Sequence, residues 1–186
     1  MITYRRHYTE KKALNFILKW FVDLVFVICL SLMISTFAFS KITMVGHSME
    51  NVIVNGDKMF IDKISYKIGN PKRFDIIVFT TDNDNSDTKL IKRVIGLPGE
   101  KIYIDSGKIY INGKELKDDV VHDIIYNAGI ASKEFTLGND EYFVLGDNRN
   151  NSEDSRQESI GLINRNNIEG KVWIIYYPIK RIEFIK

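Results

Sequence analysis

The run Trp20-Phe-Val-Asp-Leu-Val-Phe-Val-Ile-Cys-Leu-Ser-Leu-Met-Ile-Ser-Thr-Phe-Ala-Phe39 carries one charge, Asp23, in twenty residues. A helix rises about 1.5 Å per residue, so this run reaches roughly 30 Å, the thickness of a bilayer's hydrocarbon core. Asp23 lies near one end, where a carboxylate can reach the interface. The preceding residues carry Arg5, Arg6, Lys11, Lys12 and Lys19 against Glu10 alone. Basic flanks stay on the cytoplasmic side. The expected organisation is a cytoplasmic tail over 1–19, a membrane anchor over 20–40 and an extracytoplasmic domain over 41–186. A buried core helix would show a polar face, and this run has none. A cleaved leader is the nearer rival, because Ala38-Phe39-Ser40 has the small-x-small form of a cleavage site. Cleaved leaders have apolar regions of about 7–15 residues, shorter than this one, so a retained anchor is expected. Residues 41–186 work outside the cytoplasm in either case.

Composition narrows the function classes. The 26 Lys+Arg and 24 Asp+Glu leave a net charge of +2, which favours neither a nucleic-acid binder nor an acidic disordered chain. Cys29 is the only cysteine, so no internal disulfide and no cysteine-based metal site can form.

Beyond residue 41 the pattern changes to short strands. Met59–Ile64, Asp75–Thr81 and Lys89–Ile95 are apolar, β-branched runs bounded by turn residues. Lys101–Gly113 reads as a hairpin of two alternating strands around the turn Asp105-Ser-Gly-Lys108. Glu141–Leu145 and Lys171–Tyr177 are further strands, the last closed by Pro178. Residues 114–140 are more polar and less regular, and Asp82–Asp87 reads as a solvated loop. The body is therefore mainly β, with no long helix beyond the anchor.

Several chemistries are excluded. His7, His47 and His122 form no metal-binding pair, and no Walker loop or dinucleotide fingerprint occurs. The stretch Asp147–Glu158 places Asp first and Glu twelfth, as a calcium loop does. It has Arg149 third and Ser152 sixth, where a ligand and a glycine are needed. Hydroxyls and lysines remain. Ser48 follows Gly46 directly after the anchor, and a glycine there allows close approach of a substrate to backbone N–H groups. His47 is adjacent to Ser48, and neighbouring side chains diverge in extended backbone. A serine without histidine needs another base. An unperturbed lysine, with a pKa of about 10.4, is neutral only about once in 2,500 molecules at pH 7, but burial lowers that pKa by up to several units. Lys92 sits in the apolar run Leu90–Ile95, where alternation puts it on the face of Leu90 and Val94. Arg93 then shares the other face with Ile91 and Ile95. An edge-strand lysine that discourages aggregation is the competing reading of Lys92.

Three segments in this order resemble the type I signal peptidase family: Gly46-His-Ser-Met49, Lys89-Leu-Ile-Lys-Arg-Val-Ile-Gly-Leu-Pro-Gly-Glu100, and Leu145-Gly-Asp-Asn-Arg-Asn-Asn-Ser-Glu-Asp-Ser-Arg156. Gly107–Gly113 is similar to the hairpin that the family carries between the last two. The resemblance implies Ser48 as nucleophile, Lys92 as general base and Ser152 as the serine that orients the lysine. It implies Asp147, Arg149, Asp154 and Arg156 as bracing charges that do no bond chemistry. It also implies small pockets for the residues one and three before the scissile bond, with Met49, Leu90 and Ile91 as lining. The implied fold is a body of antiparallel β-sheets with a small inserted β-rich region at about 101–142, preceded by one transmembrane helix. The implied substrates are secreted preproteins at a bacterial plasma membrane, with membrane lipid around the anchor and no cofactor, metal or nucleic acid.

This chain departs from the family pattern in three places. Where the family continues x-Pro-Thr-Leu, it has Glu50-Asn51-Val52-Ile53. The family's Arg-Gly-Asp is Arg73-Phe74-Asp75. Gly46 stands where some members carry a serine that helps bind the oxyanion, which leaves more of that work to the Ser48 N–H. The altered stretch after Met49 leaves a second reading open, a specialised or non-catalytic partner of pilin assembly.

Overall fold

The computed structural model describes residues 2–81, 88–117, 121 and 123–185. The loop Asp82–Asp87, the acidic pair Asp118-Asp119 and His122 lie outside the described residues. Two compact units are present, residues 1–38 and 39–186.

The first is one helix, α1 (Ile2–Ala38). Its stretch Phe16–Ala38 is long and apolar enough to cross a membrane. Near its end the Ser35 and Thr36 hydroxyls donate to the carbonyls of Leu32 and Met33, at 2.9 and 2.8 Å, which satisfies polar groups inside an apolar helix. The helix stops at Ala38, so Phe39 and Ser40, the tail of the apolar run, open a strand instead.

The second unit is built on antiparallel pairing. Its elements are β1 (Phe39–Thr43), β2 (Lys58–Asp62), the single turn α2 (Ser65–Ile68), β3 (Ile76–Thr80), β4 (Lys89–Gly96), β5 (Lys101–Asp105), β6 (Lys108–Ile111), β7 (Lys114–Glu115), β8 (Phe135–Thr136), β9 (Glu141–Leu145), β10 (Ile163–Asn164), β11 (Ile168–Tyr177) and β12 (Glu183–Phe184). The larger sheet runs β1-β2-β11-β3-β4-β9-β10, with β12 added on β11; the smaller runs β7-β6-β5-β8. The hairpin expected from alternation forms with Asp105 opposite Lys108 and its turn residues Ser106 and Gly107 at φ of 50° and 78°. A Cβ on Gly107 would lie 2.4 Å from Ile124 Cγ2, so the turn requires glycine for space as well as for φ.

β3 and β4 lie at the centre of the larger sheet and are apolar on both faces. Ile61, Val78 and Ile91 pack into one cluster with Met49 and Ile53, while Ile77, Phe79 and Val94 pack into another with Val144 and Ile163. A third cluster joins β4, β5, β6 and β9 through Ile95, Ile102, Ile111 and Phe143, and ties the small sheet to the large one. β4 is thus held from both sides along most of its length, which fixes the backbone that carries Lys92.

Candidate active site

β4 pairs with β3 over Lys89–Arg93, placing Lys92 opposite Ile77. Lys92 is 3% exposed, and its Nζ lies 2.7 Å from Ser48 Oγ. Burial lowers the Lys92 pKa to about 8; Asp154 and Glu153 oppose that shift, and the Arg156 charge adds to it. An ammonium in an apolar strand gives up hydration that these carboxylates restore only in part. A lysine near pH 8 is neutral in a usable fraction at physiological pH, as a proton acceptor must be.

Ser48 sits in a turn pinned at several points. Gly46 adopts φ of 92°, and its N–H donates to Asn55 Oδ1 at 3.1 Å. Met49 and Ile53 are fully buried in the core, and the Ile53 N–H donates to the Met49 carbonyl at 2.9 Å. Asn148 holds two consecutive carbonyls, its N–H donating to that of Ser48 at 3.0 Å and its side chain to that of His47 at 3.1 Å. Downstream, Arg181 donates to the Val52 carbonyl at 3.0 Å and to both Asp57 carboxylate oxygens, and Asp57 accepts from the Val54 N–H at 2.9 Å. The stretch that departs from the family pattern is therefore anchored by other means: Ile53 in the core, Val52 against it, and Arg181 across the chain. The exposed His47 ring meets the Glu50 carboxylate through Nδ1. The group on Ser48 Oγ is Lys92.

The third segment braces the site from behind. Arg93 donates to both oxygens of Asp147, at 2.7 and 2.6 Å. Arg156 donates to both oxygens of Asp154, at 2.8 Å each, and the Gly146 N–H donates to Asp154 at 3.0 Å. Arg149 is buried, and its carbonyl accepts from Arg156 Nη2 at 2.5 Å. Ser152 Oγ lies 3.5 Å from the Glu153 carbonyl, and no hydrogen bond joins it to Lys92 among the described residues. Its position is set by Gly146: a Cβ there would fall 2.2 Å from Ser152 Oγ and 2.5 Å from the Ser48 carbonyl oxygen. Gly146 is thus where the Ser48 turn and Ser152 meet.

Phe74, where the family pattern noted above has glycine, adopts a left-handed φ of 71°. A bulky residue is rare there. It is held by its N–H donating to the Val94 carbonyl and by Arg93 Nη1 donating to its carbonyl, both at 2.8 Å, with its ring against the third cluster. Asp75 accepts from the Tyr66 hydroxyl at 2.8 Å and from Lys171 Nζ at 2.6 Å.

A pocket of about 250 Å³ opens beside Ser48, lined by Ile42, Thr43, Met44, Val45, Lys89, Leu90, Ile91 and Lys92. Leu90 and Ile91 are thus pocket residues, whereas Met49 is wholly enclosed in the core. The pocket separates two open strand edges. β1 pairs on one side only, with β2, and β9 takes up β4 only from Arg93 onward. Among the described residues no group of three or more His, Cys, Asp or Glu side chains could hold a metal ion. Asn148, Gly146, Asp57 and Arg181 were not singled out from the sequence. Asn148 and Gly146 sat inside a motif already noted, and nothing local marks Asp57 or Arg181.

The family described as "Signal peptidase, peptidase S26" matches residues 17–177. Signal peptidase I P of Bacillus subtilis subsp. natto is 31% identical over 184 residues, covering 95% of this chain and 98% of that protein. Signal peptidase I of Bacillus caldolyticus is 36% identical over 176 residues, covering 89% and 92%. A crystal structure of a signal peptidase I from Enterococcus faecalis V583 aligns at 33% identity over 55% of this chain and 97% of that one, with a TM-score of 0.46.

Proposed function

Because this chain belongs to the peptidase S26 family and is a membrane-anchored signal peptidase I that cleaves signal peptides from preproteins, we propose that Ser48 is its nucleophile and Lys92 its general base. The observation that carries this reading is the 2.7 Å contact between Lys92 Nζ and Ser48 Oγ, with the lysine buried and its pKa lowered to about 8.

Neutral Lys92 takes the Ser48 Oγ proton as Oγ attacks the scissile carbonyl, and the resulting ammonium then protonates the leaving amine. Water, deprotonated by the same lysine, hydrolyses the acyl-enzyme. The Ser48 N–H, which has no acceptor among the described residues, donates to the oxyanion; Gly46 keeps that approach open. Ser152 acts as a positioning residue through its packing at Gly146, and Asp147, Arg149, Asp154 and Arg156 brace it. The substrate enters extended, as a strand between the open edges of β1 and β4, so backbone hydrogen bonds supply much of its binding. Leu90, Ile91, Ile42 and Met44 leave a pocket of limited volume, which suits small side chains before the scissile bond.

In this reading residues 1–19 form a cytoplasmic tail, the helix from 20 to 38 crosses the bacterial plasma membrane and 39–186 act on its outer face, with 101–142 as a small inserted region. The non-catalytic alternative is disfavoured by the intact Ser/Lys contact. Full-length protein in detergent, incubated with a preprotein, tests the assignment. Wild type should release the leader, and Ser48→Ala and Lys92→Arg should not. Cleavage by either variant overturns the dyad. Protease added to intact spheroplasts should remove the body and spare the tail; the opposite pattern overturns the orientation.

A further inference from the structure

At one end of the pocket two lysines share one carboxylate. Glu169 lies near the start of β11, where the pairing with β3 shifts register between Ile168 and Gly170. Lys63 Nζ is 2.5 Å from its Oε1 and Lys89 Nζ is 2.6 Å from its Oε2, with Ser40 Oγ at 3.5 Å. The close packing that brings these groups together depends on Gly170, where a Cβ would lie 2.5 Å from the Asp62 carbonyl oxygen. Burial opposes ionisation of Glu169, but the hydrogen bonds from Lys63 and Lys89 outweigh it and hold the carboxyl below its usual range. Two ammonium groups against one carboxylate leave a net positive charge. Each ammonium also has three N–H donors, more than Glu169 takes up. Lys89 lines the pocket and is 42% exposed, so Glu169 does not enclose its ammonium.

The register sets the distance from the chemistry. Lys89 pairs with Thr80 and Ile91 with Val78, so Lys89 and Ile91 lie on one face of β4. At about 3.3 Å per residue, Lys89 stands roughly 10 Å along the strand from Lys92. A peptide strand in the slot, with its reacting carbonyl at Ser48, brings a residue about three to five positions from the scissile bond beside Lys89. An enzyme that removes leaders from different proteins must read the leader, so this residue lies on the leader side.

We propose that Lys89, held by Glu169 and backed by Lys63, is a specificity-determining residue. It accepts an acidic or neutral side chain, and disfavours a basic one, about three to five residues before the scissile bond. The inference rests on the Ser48/Lys92 reading of the pocket.

The test uses full-length enzyme in zwitterionic detergent and peptides identical except for Glu, Gln or Lys at each of the third, fourth and fifth positions before the scissile bond. At one of these positions wild type should cleave the Glu peptide about five- to tenfold better than the Lys peptide at low salt, in kcat/KM. That ratio should shrink as salt screens the charges. Lys89→Glu should reverse the order, and Lys63→Gln should lower the ratio. Should Lys89→Glu fail to fold, Lys63→Gln and the salt dependence decide. A Glu-to-Lys ratio unchanged across the variants and across salt overturns the proposal. So does loss of stimulation by phosphatidylglycerol over phosphatidylcholine vesicles in Lys89→Glu with the peptide ratio unmoved, which would assign the lysines to a lipid headgroup. Ser48→Ala separates the two levels: if it still cleaves, the dyad is wrong, whereas an inactive Ser48→Ala with a flat peptide ratio removes only the charge selection.

Discussion

The guanidinium of Arg93 grips both carboxylate oxygens of Asp147, and the two side chains are 2% and 0% exposed. The pair couples the residue next to Lys92 to the segment that carries Ser152, so stability and catalytic geometry run through one contact. Removing one partner leaves the other charge buried and alone. Arg93→Leu or Asp147→Ala should therefore cost about 3–5 kcal/mol. The double variant Arg93→Met/Asp147→Leu should recover most of that loss in thermal unfolding followed by circular dichroism. Its peptidase activity should stay low, because stability returns without the bidentate geometry.

Lys92 links activity to pH and to stability with opposite benefit. Its folded pKa, about 8, lies below the ordinary lysine value, so kcat/KM should fall as pH drops through about 8. His47→Ala should keep that acidic limb, since the His47 ring meets Glu50 and not Ser48. A limb that disappears in His47→Ala would make histidine the titrating group. Between the folded and unfolded pKa values the unfolded chain binds more protons, so the strain from this group eases as pH rises from about 8 to about 10.5. Lys92→Met should thus be inactive yet more stable than wild type, by up to about 3 kcal/mol near neutral pH, with the gain fading toward pH 10.5. Equilibrium unfolding at the two pH values checks the sign.

Gly146 has no room for even a methyl group. In Gly146→Ala the new Cβ meets Ser152 and the Ser48 carbonyl, and relief requires the Ser48 turn to move by tenths of an ångström or more. Bringing the Ser48 carbonyl from 2.5 Å to an ordinary contact takes a shift of about 1 Å, and misplacement on that scale should lower kcat by about 100-fold while the fold persists. Steady-state kinetics beside a far-UV spectrum would separate this from unfolding, and kcat within threefold of wild type would refute it.

Sequence patterns made some features legible and hid others for physical reasons. The β5–β6 hairpin could be read because period-2 alternation and a Ser-Gly turn are local signals. Lys92 stood out because a lysine in an apolar strand breaks the pattern, but the pattern alone left an edge-strand lysine equally open, and only its burial and its contact with Ser48 separate the two. The strand β1 could not, since Phe39 continues an apolar helix and only its pairing with Asp62 of β2 reveals the change. The resemblance supplied Ser152 and the bracing charges, but not the steric role of Gly146, which depends on a carbonyl ninety-eight positions away in the chain. Glu169 with Lys63 and Lys89 is a product of sheet order, with β11 lying between β2 and β3. Phe74 adopts a left-handed backbone without the glycine that would have announced it.

The contacts from Arg181 to Val52 and Asp57 span 129 and 124 residues of chain. Synthesis proceeds from the N-terminus, so the turn bearing Ser48 is made early, soon after the apolar helix. The guanidinium that fixes its far side is made 129 residues after Val52. A chain truncated before residue 181 keeps the Asn55 and Asn148 contacts to the Ser48 turn but lacks the clamp on Val52 and Asp57. That restraint on the far side of the Ser48 turn is thus absent until the chain has been made through Arg181.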